Sequence, residues 1–226
     1  MYSKLVVLFK SGDRKDCGNY RSISIMDTLA KVYDKLLLNR LSLWSAIDKC
    51  QAGAQKGRGC IEQILTLRLL VDLAKCKKRK LYVLFIDFSK AYDRVPPYKL
   101  IEYMKSLGCG RTMLCALLNM YKNTYNVLNS TKICTSSGVR QGAPTSCLLF
   151  TTYVDKMVKM IKESVQSDGF LGRLHILMLM DDTVKIATSR EKCLKKFEAV
   201  RNFCDEYGMM INEKKDKIPC NQCYSR

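Results

Sequence analysis

The chain has 226 residues, and its 39 Lys plus Arg outweigh 21 Asp plus Glu to give a formal net charge of +18. A hydrophobic share of 47% excludes a disordered chain, and the length suits one large domain or two small ones with a core. A balance this basic points to a polyanion, with nucleic acid the first candidate and an acidic membrane surface the second.

Taken in chain order, the N-terminal "MYSKLVVLFKSGDRKD" has an apolar run of five, Leu5 to Phe9, too short for a signal-peptide core. No run reaches the roughly 20 apolar residues of a membrane span. The expectation is an intracellular protein, nuclear or cytoplasmic, with no membrane partner and with its 12 cysteines reduced. The cysteines form no paired metal-ligand pattern. One CxxC, Cys220 to Cys223, suits either a zinc site or a loose polar tail. Val32, Tyr33, Leu36, Leu37, Leu41 and Trp44 recur at helical spacing over 29–44, and Ile61, Ile64, Leu67, Val71 and Ala74 do so over 61–74. The second helix should stop at the basic cluster Lys75 to Lys80, because positive charge suits a helix C-terminus. Leu81 to Asp87, "LYVLFID", is a continuous apolar run and predicts a buried strand. A helix is expected from Pro96–Pro97 to near Gly108, and another from Met113 to Tyr121. Residues 126–135 suggest two short strands, and Leu148 to Ile161 a helix after the loop "RQGAPTS". Leu174 to Met180 and Val184 to Ala187 predict a tight hairpin with Asp181, Asp182 and Thr183 at its tip. A helix over 190–207 should end at Gly208, and "MMIN", Met209 to Asn212, suits a last strand. The mixture predicts an α+β fold with a mostly antiparallel sheet.

Asp87 ends one predicted strand, and Asp181–Asp182 sit at the tip of a hairpin. If that hairpin pairs beside the Asp87 strand, the three carboxylates converge at one sheet edge, where their repulsion is tolerable if divalent cations neutralise it. Mg²⁺ takes a few carboxylate oxygens and completes its shell with water and phosphate, and two such ions can support phosphoryl transfer. Taken alone, adjacent aspartates also suit plain turn chemistry.

Three segments in order, "FIDFSKAYDRV" (Phe85 to Val95), "GVRQGAPTS" (Gly138 to Ser146) and "LMDDTVKIATS" (Leu179 to Ser189), resemble motifs A, B and C of the reverse transcriptase palm, closest to the non-LTR (LINE-type) retrotransposon branch. "FKSGDRKDCGNYRSISI" (Phe9 to Ile25) and "QAGAQKGRGCIEQILTLR" (Gln51 to Arg68) are similar to its fingers segments, and "FCDEYGMMINEKKDK" (Phe203 to Lys217) to its motif D. The resemblance covers residues 5–217. It implies a polymerase right hand: a fingers-like region over 1–80 and a palm over 81–226. Residues 98–135 form a helix-and-strand insertion between motifs A and B, all within one reverse transcriptase domain. The chain ends soon after motif D without a thumb-sized segment, so a fragment without its thumb is expected.

What the resemblance implies for residues follows position by position. Asp87, Asp181 and Asp182 resemble the catalytic, metal-binding carboxylates, with the Phe88 carbonyl often helping, and two Mg²⁺ ions (Mn²⁺ as the substitute) are the implied cofactors. Tyr92 stands where the family places its sugar gate. Its ring would exclude a 2′-hydroxyl, unless it is simply a core aromatic. Gln141 and Gly142 match the motif B pair beside the incoming nucleotide, where glycine allows close backbone approach. Arg21 and Arg58 match triphosphate-facing fingers residues, or are solvated surface arginines. Lys215 matches the motif D lysine, a candidate proton donor to pyrophosphate. Asp93 also matches the family pattern and reads as structural. The implied partners are an RNA template, a DNA primer and dNTPs, and the implied activity is RNA-directed DNA synthesis.

Several positions depart from the pattern. Leu179–Met180 replaces an aromatic–Ala pair, and Ala54 stands where the family usually has Phe, so a cavity is expected if that ring packs a core. Lys185 stands at an aliphatic position. Inward, it would be costly unless it reaches water or a carboxylate such as Asp181 or Asp182; outward, it would be silent. Asp216 replaces a small hydroxyl residue. These departures leave a second expectation, a catalytically inactive nucleic-acid-binding remnant. A third, an RNA-dependent RNA polymerase, is opposed by Tyr92.

Overall fold

The computed structural model describes residues 2–122, 124–135, 137–166, 169–172 and 174–212. In chain order the elements are β1 (Tyr2–Phe9), a 3-10 turn (Cys17–Asn19), β2 (Tyr20–Met26), α1 (Thr28–Trp44), α2 (Cys60–Cys76), β3 (Tyr82–Ile86) and α3 (Ala91–Arg94). There follow α4 (Pro97–Ser106), α5 (Arg111–Tyr121), β4 (Tyr125–Leu128), β5 (Thr131–Cys134), α6 (Ser146–Ser164), β6 (Ile176–Leu179), β7 (Asp182–Ala187) and α7 (Arg190–Tyr207). All the strand pairs are antiparallel except β1 with β4, so the expected α+β class with a mostly antiparallel arrangement holds. Among the described residues no helix is long and apolar enough to cross a membrane.

The chain divides into two compact units, each built from two separate stretches: Met1–Ser45 with Tyr92–Phe150, and Ala46–Ala91 with Thr151–Arg226. In the first unit a sheet runs β2-β1-β4-β5. The β1–β2 hairpin pairs Ser3 with Met26 at one end and Phe9 with Tyr20 at the other. Sequence periodicity did not single out these two strands. α4 and α5 pack on each other, burying Leu100, Tyr103 and Met104 on one and Leu114, Leu117 and Met120 on the other. Each set follows the i, i+3, i+4 or i, i+3, i+6 spacing that lines one helix face. On α1 the buried set is Asp34, Leu37 and Leu41, while Val32, Tyr33 and Leu36 are exposed. The apolar stripe expected from the sequence is therefore turned partly outward, and a carboxylate takes a core position.

The second unit carries a sheet in the order β3-β7-β6. Cys50–Ala52 lies alongside β6 through a parallel bridge between Gln51 and Met178, and Phe88 bridges Ile211. "MMIN" thus forms a single bridge in place of the expected strand. β3 is half-exposed where a buried strand was expected, with Phe85 60% accessible; it terminates the three-strand order and α7 packs against the sheet. α2 faces the sheet through Leu67 and Leu70, which join Leu171, Leu177 and Ile186. Ile61 and Ile64, assigned to its core face by spacing, are exposed. α7 starts at Ser189, whose side chain accepts from the Lys192 amide at 3.2 Å, and stops at Gly208 with φ +73°. Both ends lie where the sequence placed them, because a hydroxyl N-cap and a left-handed glycine satisfy orphan backbone groups. Tyr153, Phe203 and Tyr207 form a ring cluster with centroids 4.9–6.0 Å apart.

Lys185 on β7 is fully buried, so it does not face outward. Its ammonium lies 4.4 Å from the centroid of the Phe197 ring on α7. A cation over an aromatic face recovers part of the hydration lost on burial. Replacement of buried charge by apolar side chains of similar volume is commonly neutral or stabilising. Lys185→Leu is therefore expected to raise stability by about 1–3 kcal/mol, read as a higher urea midpoint; a lower midpoint would contradict this account. Ala54 is exposed at a turn with φ +56°. No packed ring is missing there, so the expected cavity does not arise.

Candidate active site

β3 and β7 pair antiparallel with Phe85 opposite Val184 and Ile86 opposite Thr183. Continuing that register by one residue sets Asp87 beside Asp182. On the other side of β7, Leu179 pairs with Asp182, which leaves Met180 and Asp181 as a two-residue turn. The tip is thus Met180–Asp181, and Asp182 and Thr183 belong to β7 rather than to the turn expected over 181–183. Met180 adopts φ +58°, as the first position of a tight hairpin turn requires. Asp87, Asp181 and Asp182 are gathered at one end of the sheet, with Asp182 exposed and the other two half-buried.

The surroundings hold these positions. The Asp87 carbonyl accepts from the Asn212 amide at 2.8 Å, and its Oδ2 accepts from Asn212 Nδ2 at 3.0 Å. The Ser89 amide donates to the Met210 carbonyl at 2.8 Å. Gln51 is 1% exposed. Its Oε1 accepts from the Met180 amide at 2.9 Å and the Gly53 amide at 2.8 Å, and its Nε2 donates to the Met180 carbonyl at 3.0 Å. Among the described residues no group of three or more His, Cys, Asp or Glu side chains is arranged to hold a metal ion. The oxygen-only donor set at the sheet end nonetheless suits a hard cation, since Mg²⁺ draws most of its shell from water and phosphate rather than from a protein cage.

The remaining predicted residues fall in both units. In the second, Arg58 binds Glu62 through Nε at 3.0 and 3.1 Å and through Nη2 at 2.5 Å, and also donates to the Lys49 carbonyl. The hydrogen bonds with Glu62 raise its already high pKa. In the first unit, Arg21 is exposed on β2 opposite Leu8. Tyr92 stacks on Phe150 with centroids 4.4 Å apart and an interplanar angle of 13°. The Gly138 amide donates to the Val95 carbonyl and the Val139 amide to the Tyr92 carbonyl, both at 2.9 Å. Gln141 Nε2 donates to Asp93 Oδ1 at 3.0 Å, and the Gln141 carbonyl accepts from the Ser24 amide at 2.9 Å. Gly142 has φ +109°, and a Cβ there would lie 2.9 Å from the Ser24 carbonyl oxygen. Gly142→Ala is expected to cost about 1–3 kcal/mol through strain and that clash, measured as a lower melting temperature; an unchanged melting temperature would contradict the close packing on β2. Lys215, Asp216, Cys220 and Cys223 lie outside the described residues.

Sequence reasoning did not single out Gln51 or Asn212. Each acts on a partner 129 or 125 residues away, and no local pattern announces such a pairing. Gln51 opens the fingers-like segment Gln51 to Arg68, but nothing in its neighbours tells that its amide faces the acidic turn.

An antiparallel sheet end carrying a strand-terminal aspartate beside an Asp–Asp hairpin defines the palm of a template-directed polymerase. The family model described as reverse transcriptase (RNA-dependent DNA polymerase) matches residues 10–223, so the chain belongs to that family. It is similar to the Retrovirus-related Pol polyprotein from type-1 retrotransposable element R2 of Nasonia vitripennis, at 25% identity over 221 residues, 94% of this chain and 21% of that protein. The R2 polyprotein of Popillia japonica is 28% identical over 218 residues, 91% of this chain and 30% of that protein. The RNA-directed DNA polymerase from mobile element jockey of Drosophila melanogaster is 24% identical over 235 residues, 98% of this chain and 25% of that protein. The chain is a reverse transcriptase domain of the non-LTR retrotransposon kind, and it spans between 21% and 30% of the length of these relatives. Its fold is shared with a telomerase from Candida tropicalis solved with the TWJ fragment of telomeric RNA, at a TM-score of 0.65 and 16% identity, over 95% of this chain and 40% of that one.

Proposed function

We propose that this domain catalyses RNA-directed DNA synthesis, transferring a dNTP to the 3′-hydroxyl of a primer annealed to an RNA template. The observation that carries the proposal is the gathering of Asp87, Asp181 and Asp182 at one end of the β3-β7-β6 sheet in a chain of net charge +18. Asp87 and Asp181, with Asp182 beside them, would hold two Mg²⁺ ions. Those ions, when bound, supply neutralisation of the charge that develops on the phosphoryl group. The chain's own contribution is positioning. Carboxylates fixed on a paired strand and a clamped turn require little reorganisation as reaction proceeds.

Tyr92 is assigned to selecting deoxynucleotides. Its ring is braced by Phe150, and a braced ring can exclude a 2′-hydroxyl where a mobile one would yield. Gln141, oriented by Asp93, and Gly142 are assigned to the nucleotide, as are Arg21, Arg58 and Lys215. Arg58 would have to exchange Glu62 for phosphate oxygens to do so. The basic surface is assigned to the template and primer backbones.

The test is extension of a primed RNA template by the purified domain with dNTPs and Mg²⁺. Extension by the wild type and none by Asp87→Ala is the expected result. Absence of extension by the wild type, with binding that persists and weakens steeply with salt, would establish the inactive nucleic-acid-binding remnant instead. Preference for NTPs over dNTPs would reverse the assignment of Tyr92.

A further inference from the structure

We propose that Gln51 is a positioning residue for the metal-binding carboxylates, its buried amide fixing the two-residue turn that carries Asp181. The inference rests on the polymerase function proposed above.

Met180 has φ +58°, a left-handed conformation that strains a non-glycine residue. Such a residue keeps its geometry when its surroundings over-determine it. Gln51 does this from one side chain. It accepts from the Met180 amide and donates to the Met180 carbonyl, so both polar groups of that residue's backbone are matched by one primary amide. The backbone on either side is set to deliver it. The Ala52 amide donates to the Met178 carbonyl, and the Met178 amide to the Cys50 carbonyl, both at 2.8 Å. Cys50–Ala52 thereby acts as a short parallel strand beside β6, and places Gln51 level with the turn. Gln55 Nε2 in turn donates to the Gln51 carbonyl at 2.6 Å.

Gly53 completes the fit. A Cβ on it would lie 2.6 Å from Met180 Sδ, 2.8 Å from the Met180 nitrogen and 2.9 Å from Gln51 Oε1. The chain is packed against the turn with no room for even a methyl group. Glutamine suits the position chemically, because it is neutral yet both donor and acceptor. Glutamate would lose the donor to the Met180 carbonyl and add a fourth negative charge beside three carboxylates. Outer groups that orient metal ligands commonly change metal affinity or activity by about 10–100-fold when removed.

The test compares wild type, Gln51→Leu and Asp181→Asn for Mn²⁺ binding, followed by the paramagnetic resonance signal of free Mn²⁺, and for Mg²⁺ dependence of primer extension. Gln51→Leu is expected to need about tenfold or more Mn²⁺ for half-saturation, with the Mg²⁺ requirement shifted alike, KM for dNTP unchanged and cooperative melting retained. Mn²⁺ binding and Mg²⁺ dependence equal to wild type would overturn the assignment. If Gln51→Leu does not fold, Gly53→Ala displaces the same turn without removing the amide. The same shift is expected there, and its absence overturns the proposal. A wild-type protein that neither binds Mn²⁺ nor extends a primer would overturn the polymerase function itself. A wild type that does both, matched by Gln51→Leu, would overturn the role of Gln51 alone.

Discussion

Asp181→Asn is expected to reduce primer extension by about 10³-fold or more while the folded domain melts at or above the wild-type temperature. The size follows from the charge that Asp181 contributes. Metal-borne stabilisation of a transferring phosphoryl group is worth several kcal/mol, and each 1.36 kcal/mol is a factor of ten in rate. The stability effect has the opposite sign because of where the residue sits. Asp181 occupies a turn, beside Asp182 and at the sheet end that also bears Asp87. Three like charges gathered there repel one another in the absence of cations, and asparagine tolerates turn geometry as well as aspartate does. Losing one charge therefore relieves the free protein while removing a ligand from the site. Binding to primed template should persist and weaken steeply with salt, since it arises from the net charge of +18. Extension within tenfold of wild type, or a loss of folding in step with activity, would show that Asp181 acts otherwise.

The features legible in the sequence share one property: their determinants are local. The β6–β7 hairpin, the limits of α7 at Ser189 and Gly208, and the strand ending before Asp87 were all set by residues a few positions apart. Strand pairing then brought the three aspartates together, as their placement at strand ends required. What the sequence left open depends on which neighbour meets which face. α1 and α2 carry apolar residues on more than one side, so periodicity marks a helix without telling that Leu37 and Leu41 turn inward while Val32 and Leu36 do not. β1 carries the run Leu5 to Phe9, which the sequence shows only as too short for a signal-peptide core, and its pairing with Tyr20–Met26 is what makes it a strand. Lys185 is a single charge in an apolar strand, and the ring of Phe197 beside it, announced by no local pattern, is met only once α7 packs on β7. Gln51 and Asn212 carry no signal of their own, because amides are recognised by the geometry they meet. Asp34 belongs to the same group: an aspartate among leucines on α1 reads as the polar face of a helix.

Asp34→Ala is expected to be the most destabilising substitution considered, at about 3 kcal/mol or more, although the residue lies in none of the motifs. Asp34 is 1% exposed, and its Oδ2 accepts from the Thr145 amide at 2.9 Å while Oδ1 accepts from the Thr145 hydroxyl at 2.8 Å. Thr145 and Arg140 are also buried. Arg140 donates to the Met120 carbonyl and to Thr124 Oγ1, and the Asp34 carboxylate acts on its guanidinium against the desolvation that lowers its pKa. Alanine would strand a buried amide and a hydroxyl without acceptors and remove one of the groups, with Tyr121, that act against the desolvation of the Arg140 guanidinium. Hydrogen bonds to charged groups are worth about 1.5–3 kcal/mol each, and an unsatisfied buried donor carries its full desolvation cost. Asparagine separates the two contributions. Its oxygen can accept from the Thr145 amide and its nitrogen can donate to the hydroxyl, so the hydrogen bonds survive and the charge alone is lost. Asp34→Asn should therefore lose less than half of what Asp34→Ala loses. In a chain of this size about 1 kcal/mol corresponds to roughly 2–4 °C of melting temperature, so the two variants should be clearly resolved. Equal melting temperatures would place the whole effect in the charge. Because Thr145 closes the loop that carries Gln141 and Gly142, the folded fraction of Asp34→Asn should also show a raised KM for dNTP with primer affinity intact. A loss of primer affinity with KM unchanged would sever this anchor from the nucleotide assignment of that loop.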